Sequence, residues 1–296
     1  MNRILVTGAT GHLGRLAIEA LLKTPGNHSI SALVRDAEKA ADLKKNGVEL
    51  RTGNYDNAAS LEAAFKGIDK LLFISASDLM TREKQHENVI EAAKKSGIKK
   101  ILYTSFQRKN ETETSPIAFV TRAHLLTEKW IKESGIDYTI LANTLYTDMI
   151  PVFIGENVIE NGTVFLPAGN GKTAYATRQD MAEAMAKILV SENHRNSVLN
   201  FANTEAVSME EIAGILSEIG DKEVNYVSPS KDEFTKQMKE WGAPDQGIQV
   251  VSAFSEAITQ GEFEQTSSDL KNILGRQPQS VKEYLQTVYP KETVLH

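Results

Sequence analysis

The stretch "ILVTGATGHLGRLAIEALLK", residues 4–23, decides the fold. An apolar run, Ile4-Leu5-Val6, passes directly into a loop with glycines at 8, 11 and 14, and a pattern of helical period follows to Lys23. Glycine in a loop can serve turn geometry alone. Between a first strand and a first helix each of these has a phosphate-binding rationale. Gly8 permits the tight turn, Gly11 lets a pyrophosphate approach the backbone, and Gly14 allows close helix–sheet packing. The helix start adds unpaired N–H groups and a positive dipole end, both suited to phosphate oxygens. The context predicts a dinucleotide site built on Gly8, Ala9, Thr10, Gly11, His12, Leu13 and Gly14.

The same strand-then-helix order recurs through the first half. Ile30–Val34 precedes a helix over about 37–45, Val48–Leu50 a short one near 61–65, Leu71–Ile74 one over about 81–95, and Ile101–Tyr103 one over about 117–133; Tyr138–Leu141 closes the series. Apolar strand runs in this order imply a parallel sheet covered on both faces, a Rossmann-type doubly wound α/β fold. Beyond residue 150 the rhythm changes to a mainly helical pattern. Residues 1–150 are expected to form the nucleotide-binding domain and residues 151–296 a smaller cleft domain, with about 174–203 returning to the sheet. Ser208-Met209-Glu210-Glu211 is a capping box opening one of the later helices.

Composition narrows the function classes. The chain has 296 residues, 41% hydrophobic and 24% charged, which suits a sizeable core. It has no cysteine, so disulfides, thiolate catalysis and Cys-ligated metals are excluded. The net charge of −6, without a basic block, argues against nucleic acid. No apolar run reaches the roughly 18 residues a membrane helix needs, and no leader precedes the first strand. A soluble, cytoplasmic protein without membrane insertion is the expectation; the sequence does not set an oligomeric state.

Which dinucleotide binds is written at the tip of the second strand. An acidic residue there suits the adenosine ribose and an arginine suits a 2′-phosphate. Arg35, followed by Asp36, favours NADPH, and Asp36 keeps NADH open.

On "VTGATGHLG", "LVRDAEKA", "KLLFISAS", "ILYTS", "AHLLTEKWIKESGIDYTIL" and "NTLYTD" the chain resembles the NmrA-like branch of the atypical short-chain dehydrogenases/reductases, and within it the type 2 NADPH:quinone oxidoreductases and triphenylmethane dye reductases. The resemblance implies an NADPH-dependent reductase of quinones or similar electron-poor aromatic acceptors. It also implies an alternative, because some NmrA-like relatives read the cofactor as regulators and catalyse nothing. Position by position, it implies that the glycine loop holds the pyrophosphate and Arg35 the 2′-phosphate. Ser75, Ala76 and Ser77 would run along the cofactor, Asn143 would face the nicotinamide, and Tyr146 would stand at the substrate mouth. Relatives often carry an arginine before that asparagine, where this chain has Ala142.

No tyrosine here is followed four residues later by a lysine, so the acid/base pair of ordinary short-chain reductases is missing. His124 is the one candidate near its place, on a stripe with Ile117, Val120 and Ile131. General acid, positioning group and packing residue are its three readings. A conjugated acceptor delocalises the incoming charge and can be protonated by water, so such a reductase tolerates the missing pair. Phe106, Tyr146, Phe153 and Trp241 could wall an aromatic substrate or serve packing. His86 and Glu87 are expected on an exposed helix face, without partners at metal-ligand spacing. "GNGK", residues 169–172, reads as a turn.

Overall fold

The computed structural model describes residues 2–289. Five strand–helix units and a sixth strand open the chain: β1 (Asn2–Val6), α1 (His12–Lys23), β2 (His28–Val34), α2 (Ala41–Lys45), β3 (Glu49–Thr52), α3 (Ala58–Phe65), β4 (Lys70–Phe73), α4 (Arg82–Lys95), β5 (Lys100–Phe106), α5 (Ala118–Glu133) and β6 (Asp137–Asn143). Then come α6 (Ile150–Ile154), α7 (Val158–Asn161), β7 (Thr163–Phe165), β8 (Lys172–Thr173), α8 (Arg178–Val190) and β9 (Ser197–Phe201). The chain continues through β10 (Val207–Ser208), α9 (Met209–Gly220), β11 (Asn225–Val227), α10 (Lys231–Glu240), α11 (Asp245–Thr259), α12 (Asp269–Leu274) and α13 (Val281–Val288).

The main sheet has the order β3-β2-β1-β4-β5-β6-β9, and all its pairings are parallel. Both faces are buried, and β1 shows why. Ile4 and Val6 join Leu72, Leu102 and Leu141 in a core beneath α1 and α8, while Leu5 joins Leu71, Phe73, Tyr103 and Ile140 under α3, α4 and α5. Alternate side chains of each strand point to opposite faces, so continuous apolar runs are the pattern such a sheet demands. The strand order reverses between β1 and β4, and the carboxyl ends there diverge into a crevice. The late strand β9 pairs with β6 through Leu141↔Leu199 and completes the edge.

A separate apolar cluster gathers Leu145, Ile150, Tyr175, Ile212, Leu216, Phe234, Ile258 and Phe263 from the later helices. The Ser208 capping box forms reciprocally with Glu211, and Ser230–Glu233 and Ser280–Glu283 repeat it. Local polar contacts move two helix starts away from expectation. Asn57 accepts from the Ser60 N–H at 3.0 Å, so α3 begins at Ala58, upstream of Leu61. Asp36 accepts from the Glu38 N–H at 3.0 Å, and a 3-10 turn at Glu38–Ala40 precedes α2. The sequence reading contained no counterpart of the two-stranded pairs β8–β10 and β7–β11, whose strands of two or three residues are too short to show a period. Gly169 takes φ +52° in the expected "GNGK" turn. Among the described residues no helix is long and apolar enough to cross a membrane, and no cluster of three or more His, Asp or Glu could hold a metal.

Candidate active site

A cleft of about 550 Å³ opens at the carboxyl ends of β1, β2 and β4. Its floor is the loop Gly8–Gly14, and its sides are Val34-Arg35, Gly53–Asp56 and Ile74–Asp78. Gly8 has φ +59°, and the Gly11 N–H donates to the Gly8 carbonyl at 2.9 Å. A side chain at position 14 would place its Cβ 2.2 Å from the Gly8 oxygen, so α1 is pressed against the loop as well as the sheet. Gly11 caps α1 without any side-chain hydrogen bond, and no acidic residue occupies the first turn. Those first N–H groups therefore face the cleft free of a local carboxylate, which fits a phosphate group.

The sequence-predicted residues from Gly8 to Gly14, Arg35, and Ser75 to Ser77 all line this cleft. Asp36 spends one carboxylate oxygen on the Glu38 N–H, and its other lies 4.0 Å from the Lys39 ammonium. The β4 tip is fixed from several sides. Thr7 Oγ1 accepts from the Ile74 N–H and Thr104 Oγ1 from the Ser75 N–H, both at 3.0 Å, while the Tyr55 hydroxyl donates to the Ile74 carbonyl at 3.0 Å.

Phe106, Asn143 and Tyr146 do not line this cleft itself. Phe106 and Asn143 are register partners at the ends of β5 and β6. Both polar atoms of the Asn143 side chain are buried without a partner, as are the hydroxyls of Thr144 and Thr147. Buried amides ordinarily find partners, and the Tyr146 phenol is within reach of this one: hydrogen bonding to Asn143 opposes the rise that burial imposes on that phenol. Tyr146 is half-buried, with the Arg178 guanidinium 4.1 Å above its ring centroid. Arg178 does line the cleft and pairs with Asp148, which also lies 3.5 Å from His12 Nδ1. The sequence reading missed Arg178 as a site residue; its only signal was its place as the first residue of a helix returning to the sheet.

Family comparison agrees with this geometry, since the NmrA-like family profile matches residues 1–285. The chain belongs to the NmrA-like family. It is 34% identical over 286 residues to quinone oxidoreductase 2 of Escherichia coli strain K12, covering 97% of this chain and 98% of that protein. The crystal structure of the E. coli NADPH-dependent quinone oxidoreductase complexed with NADPH superposes with a TM-score of 0.89 at 34% identity, covering 97% and 99% of the two chains. The Citrobacter sp. triphenylmethane reductase complexed with NADP(H) gives 0.89 at 37% identity, covering 96% and 99%.

In this NmrA-like protein His86 and His124 lie behind the cleft wall formed by Ser75–Ser77. His124 is buried with Nδ1 2.7 Å from the Tyr103 hydroxyl, and Phe106 stacks on its ring at 6.0 Å. Burial, with the nearby Arg82 charge second, holds its pKa well below the ordinary histidine value. An imidazole kept neutral in this way is a poor general acid near pH 7. His86 departs from the exposed position expected of it: it is fully buried. The polar letters of "TREKQ" hide an inward stripe of Arg82, Gln85, His86, Val89 and Ile90, whose spacing is helical. His86 Nε2 accepts from the Ala76 N–H at 2.9 Å, so its proton sits on Nδ1, which donates to Thr127 Oγ1 at 2.7 Å. The Thr127 hydroxyl in turn donates a hydrogen bond to the Ala123 carbonyl at 2.6 Å. This chain of bonds ties the cleft wall to α5. Desolvation, followed by Arg82, lowers the His86 pKa to about 3. Glu128, one turn after His124, is held bidentately by Arg108 at 2.9 and 3.0 Å and accepts from the Ser105 hydroxyl.

Proposed function

We propose that the protein is an NADPH-dependent reductase that delivers hydride to quinones or similar electron-poor conjugated acceptors. One observation carries the reading: the candidate acid/base side chains behind the dinucleotide cleft, His86, His124 and Tyr103, are buried and hydrogen-bonded to one another or to the cleft wall, so none is poised for proton exchange near neutral pH. His86 and His124 are held neutral, and burial pushes the phenols of Tyr103 and Tyr146 up. Alcohol and sugar-nucleotide redox chemistry needs a placed acid and base, whereas a quinone delocalises the incoming charge and takes its proton from water.

The residues present fit the cofactor. The Gly8–Gly14 loop and the free N–H groups of α1 suit a pyrophosphate, and Arg35 at the cleft edge suits a 2′-phosphate. Bound there, NADPH supplies the hydride. Ser75–Ser77, braced by Thr104 and His86, would hold the nicotinamide half against the β4 tip, and Asn143, at the end of β6, would face its carboxamide. Residues 1–150, together with 174–203, would form the cofactor half; the rest of 151–296 would cover the acceptor side, with Phe106 and Tyr146 between them. Positioning of the two reactants then provides most of the rate.

The test is NADPH consumption across a panel of quinones and dyes, without added flavin or metal. Many turnovers are expected with conjugated acceptors and none with secondary alcohols or sugar nucleotides. Tight NADPH binding without turnover of any acceptor would instead favour a regulator that reads the cofactor.

A further inference from the structure

Glu262, just beyond α11, is 3% exposed, and one of its carboxylate oxygens accepts from two successive backbone N–H groups, those of Lys109 at 2.6 Å and Asn110 at 2.9 Å. Burying a carboxylate is costly, and charge-assisted bonds to N–H groups are directional as well as strong, so this contact fixes the backbone at 109–110. The segment that carries Glu262 grips the end of β5 twice more. The Phe263 ring meets Phe106 edge-on at 5.4 Å, and the Gln265 carbonyl accepts from Gln107 Nε2 at 2.8 Å. Gln107 is itself buried, and its backbone N–H donates to the Asn143 carbonyl at 2.8 Å, which ties the same loop to the last residue of β6. From α5 the loop is held by Arg108, which donates to the Phe106 carbonyl at 2.9 Å and pairs with Glu128. The cleft wall lies alongside: Thr104, two residues before Phe106, accepts from the N–H of the cleft residue Ser75 at 3.0 Å. The later, mainly helical part of the chain thus reaches the end of β5 through one buried carboxylate and the residues that follow it.

We propose that Glu262 is a positioning residue for the acceptor: by holding the Lys109 and Asn110 N–H groups it keeps Phe106, and through Gln107 the Asn143 end of β6, at the spacing a planar ring needs against the cofactor. This role rests on the reductase reading, with Phe106 walling the acceptor, and adds the residue that ties the helical half to that wall. Glu262 touches neither reactant and exchanges no proton. Its part is to immobilise two backbone donors in the loop that follows Phe106. A reductase that works by placing two reactants is steeply sensitive to such an anchor, because small displacements of either reactant slow the step.

The experiment compares unmodified protein, Glu262→Ala and Glu262→Gln, with menadione as acceptor and turnover expressed per titrated NADPH site. Thermal melting, NADPH affinity and amide hydrogen exchange at Lys109 and Asn110 are measured alongside. A misplacement of about 1 Å can cost on the order of 10²-fold in rate, so Glu262→Ala should lose roughly 10- to 100-fold in kcat/KM for menadione. Its KM should rise, its NADPH affinity should not change, and the Lys109 and Asn110 amides should exchange faster. Glu262→Gln keeps an acceptor oxygen at the same reach and should recover part of the kcat/KM and of the exchange protection. A merely structural carboxylate would lower Tm and the number of competent sites while leaving kcat and KM per site as in the parent, and that result overturns the assignment. A loss of NADPH affinity in step with kcat/KM overturns it too, since the fault would then lie in the cofactor half. Should the alanine variant fail to fold, Glu262→Asp decides: it keeps the charge on a shorter side chain, so an intermediate loss per site is expected and parental values refute the role. If the unmodified protein does not reduce menadione, the reductase reading fails and takes this one with it. Turnover that is indifferent to Glu262 sinks this one alone.

Discussion

Alanine substitutions at Gly14 and Gly11 should separate two reasons for glycine in one loop. Gly14 is the third residue of α1, where helix propensity alone favours alanine by about 0.5–1 kcal/mol. The added Cβ would meet the Gly8 oxygen at 2.2 Å, the Gly8 carbonyl carbon at 2.8 Å and the Ala9 Cα at 2.9 Å. All three are backbone atoms, so no rotamer can relieve the contact, and the loop must retreat. Overpacking of this kind costs roughly 1–3 kcal/mol, which outweighs the propensity gain and leaves a net loss of about 1–2 kcal/mol. In a protein of this size that lowers Tm by roughly 2–4 °C for each kcal/mol. The displaced loop also misaligns its phosphate-facing N–H groups; a charge-assisted bond is worth about 1.5–3 kcal/mol, so NADPH affinity should fall at least tenfold. At Gly11 the Cβ meets only the Gly8 oxygen, at 3.3 Å, in an extended conformation open to alanine. Gly11→Ala should therefore melt close to the unmodified protein while binding NADPH more weakly, because its methyl occupies the pyrophosphate approach. The assays are calorimetric melting without cofactor and fluorescence titration with NADPH. A Gly14→Ala protein that is more stable than the parent and binds NADPH normally would refute the reasoning.

Arg35→Ala should cost NADPH about tenfold to a hundredfold in affinity and leave NADH unchanged, the worth of one charge-assisted phosphate contact; parallel titrations decide it. His124→Ala should lower quinone turnover by less than roughly tenfold, below the range of about 10²–10⁴ for a general acid, with a kcat profile flat from pH 6 to 8. A steep loss that tracks a titration would restore the catalytic reading. Stability should fall in acid: His86 has a folded pKa of about 3 against 6.5 for an ordinary histidine, so below 6.5 the unfolded chain binds a proton that the folded one refuses. Its contribution is fully present above pH 6.5 and drops by about 2 kcal/mol by pH 5, at roughly 1.4 kcal/mol per unit; urea unfolding of His86→Gln should show a correspondingly shallower pH slope.

What was legible in the sequence was local and periodic. The Gly8–Gly14 loop and the apolar strand runs have short-range causes, and the parallel sheet and cofactor cleft follow from them. Arg35 was readable as a cleft residue because ligands of such sheets sit beyond the carboxyl ends of the strands. His86 was not, because the polar composition of α4 masked its inward stripe, although the spacing from Arg82 through Ile90 carried it. Arg178 was hidden for another reason. Its meaning lies in partners distant in sequence, Asp148 and Tyr146. Buried polar satisfaction is a tertiary property, and no window of residues reports it.

The absent Tyr-Lys pair and the neutral histidines belong to one arrangement. A catalytic tyrosine must lose its proton within reach of pH 7, which requires a cation close to its hydroxyl. Tyr103 occupies the interior, and its polar neighbours His86 and His124 are uncharged, so burial raises its pKa where a catalytic phenol would need it lowered. The cations that are present serve other ends: Arg108 is neutralised by Glu128, and Arg82 has no hydrogen bond to the phenol among the described residues. Tyr103 therefore braces His124, as His86 braces Ala76, and both rows of contacts stiffen the wall on which the cofactor would lie. A site organised this way invests in position and not in proton transfer. The proposed reductase would accordingly serve acceptors that need only the first.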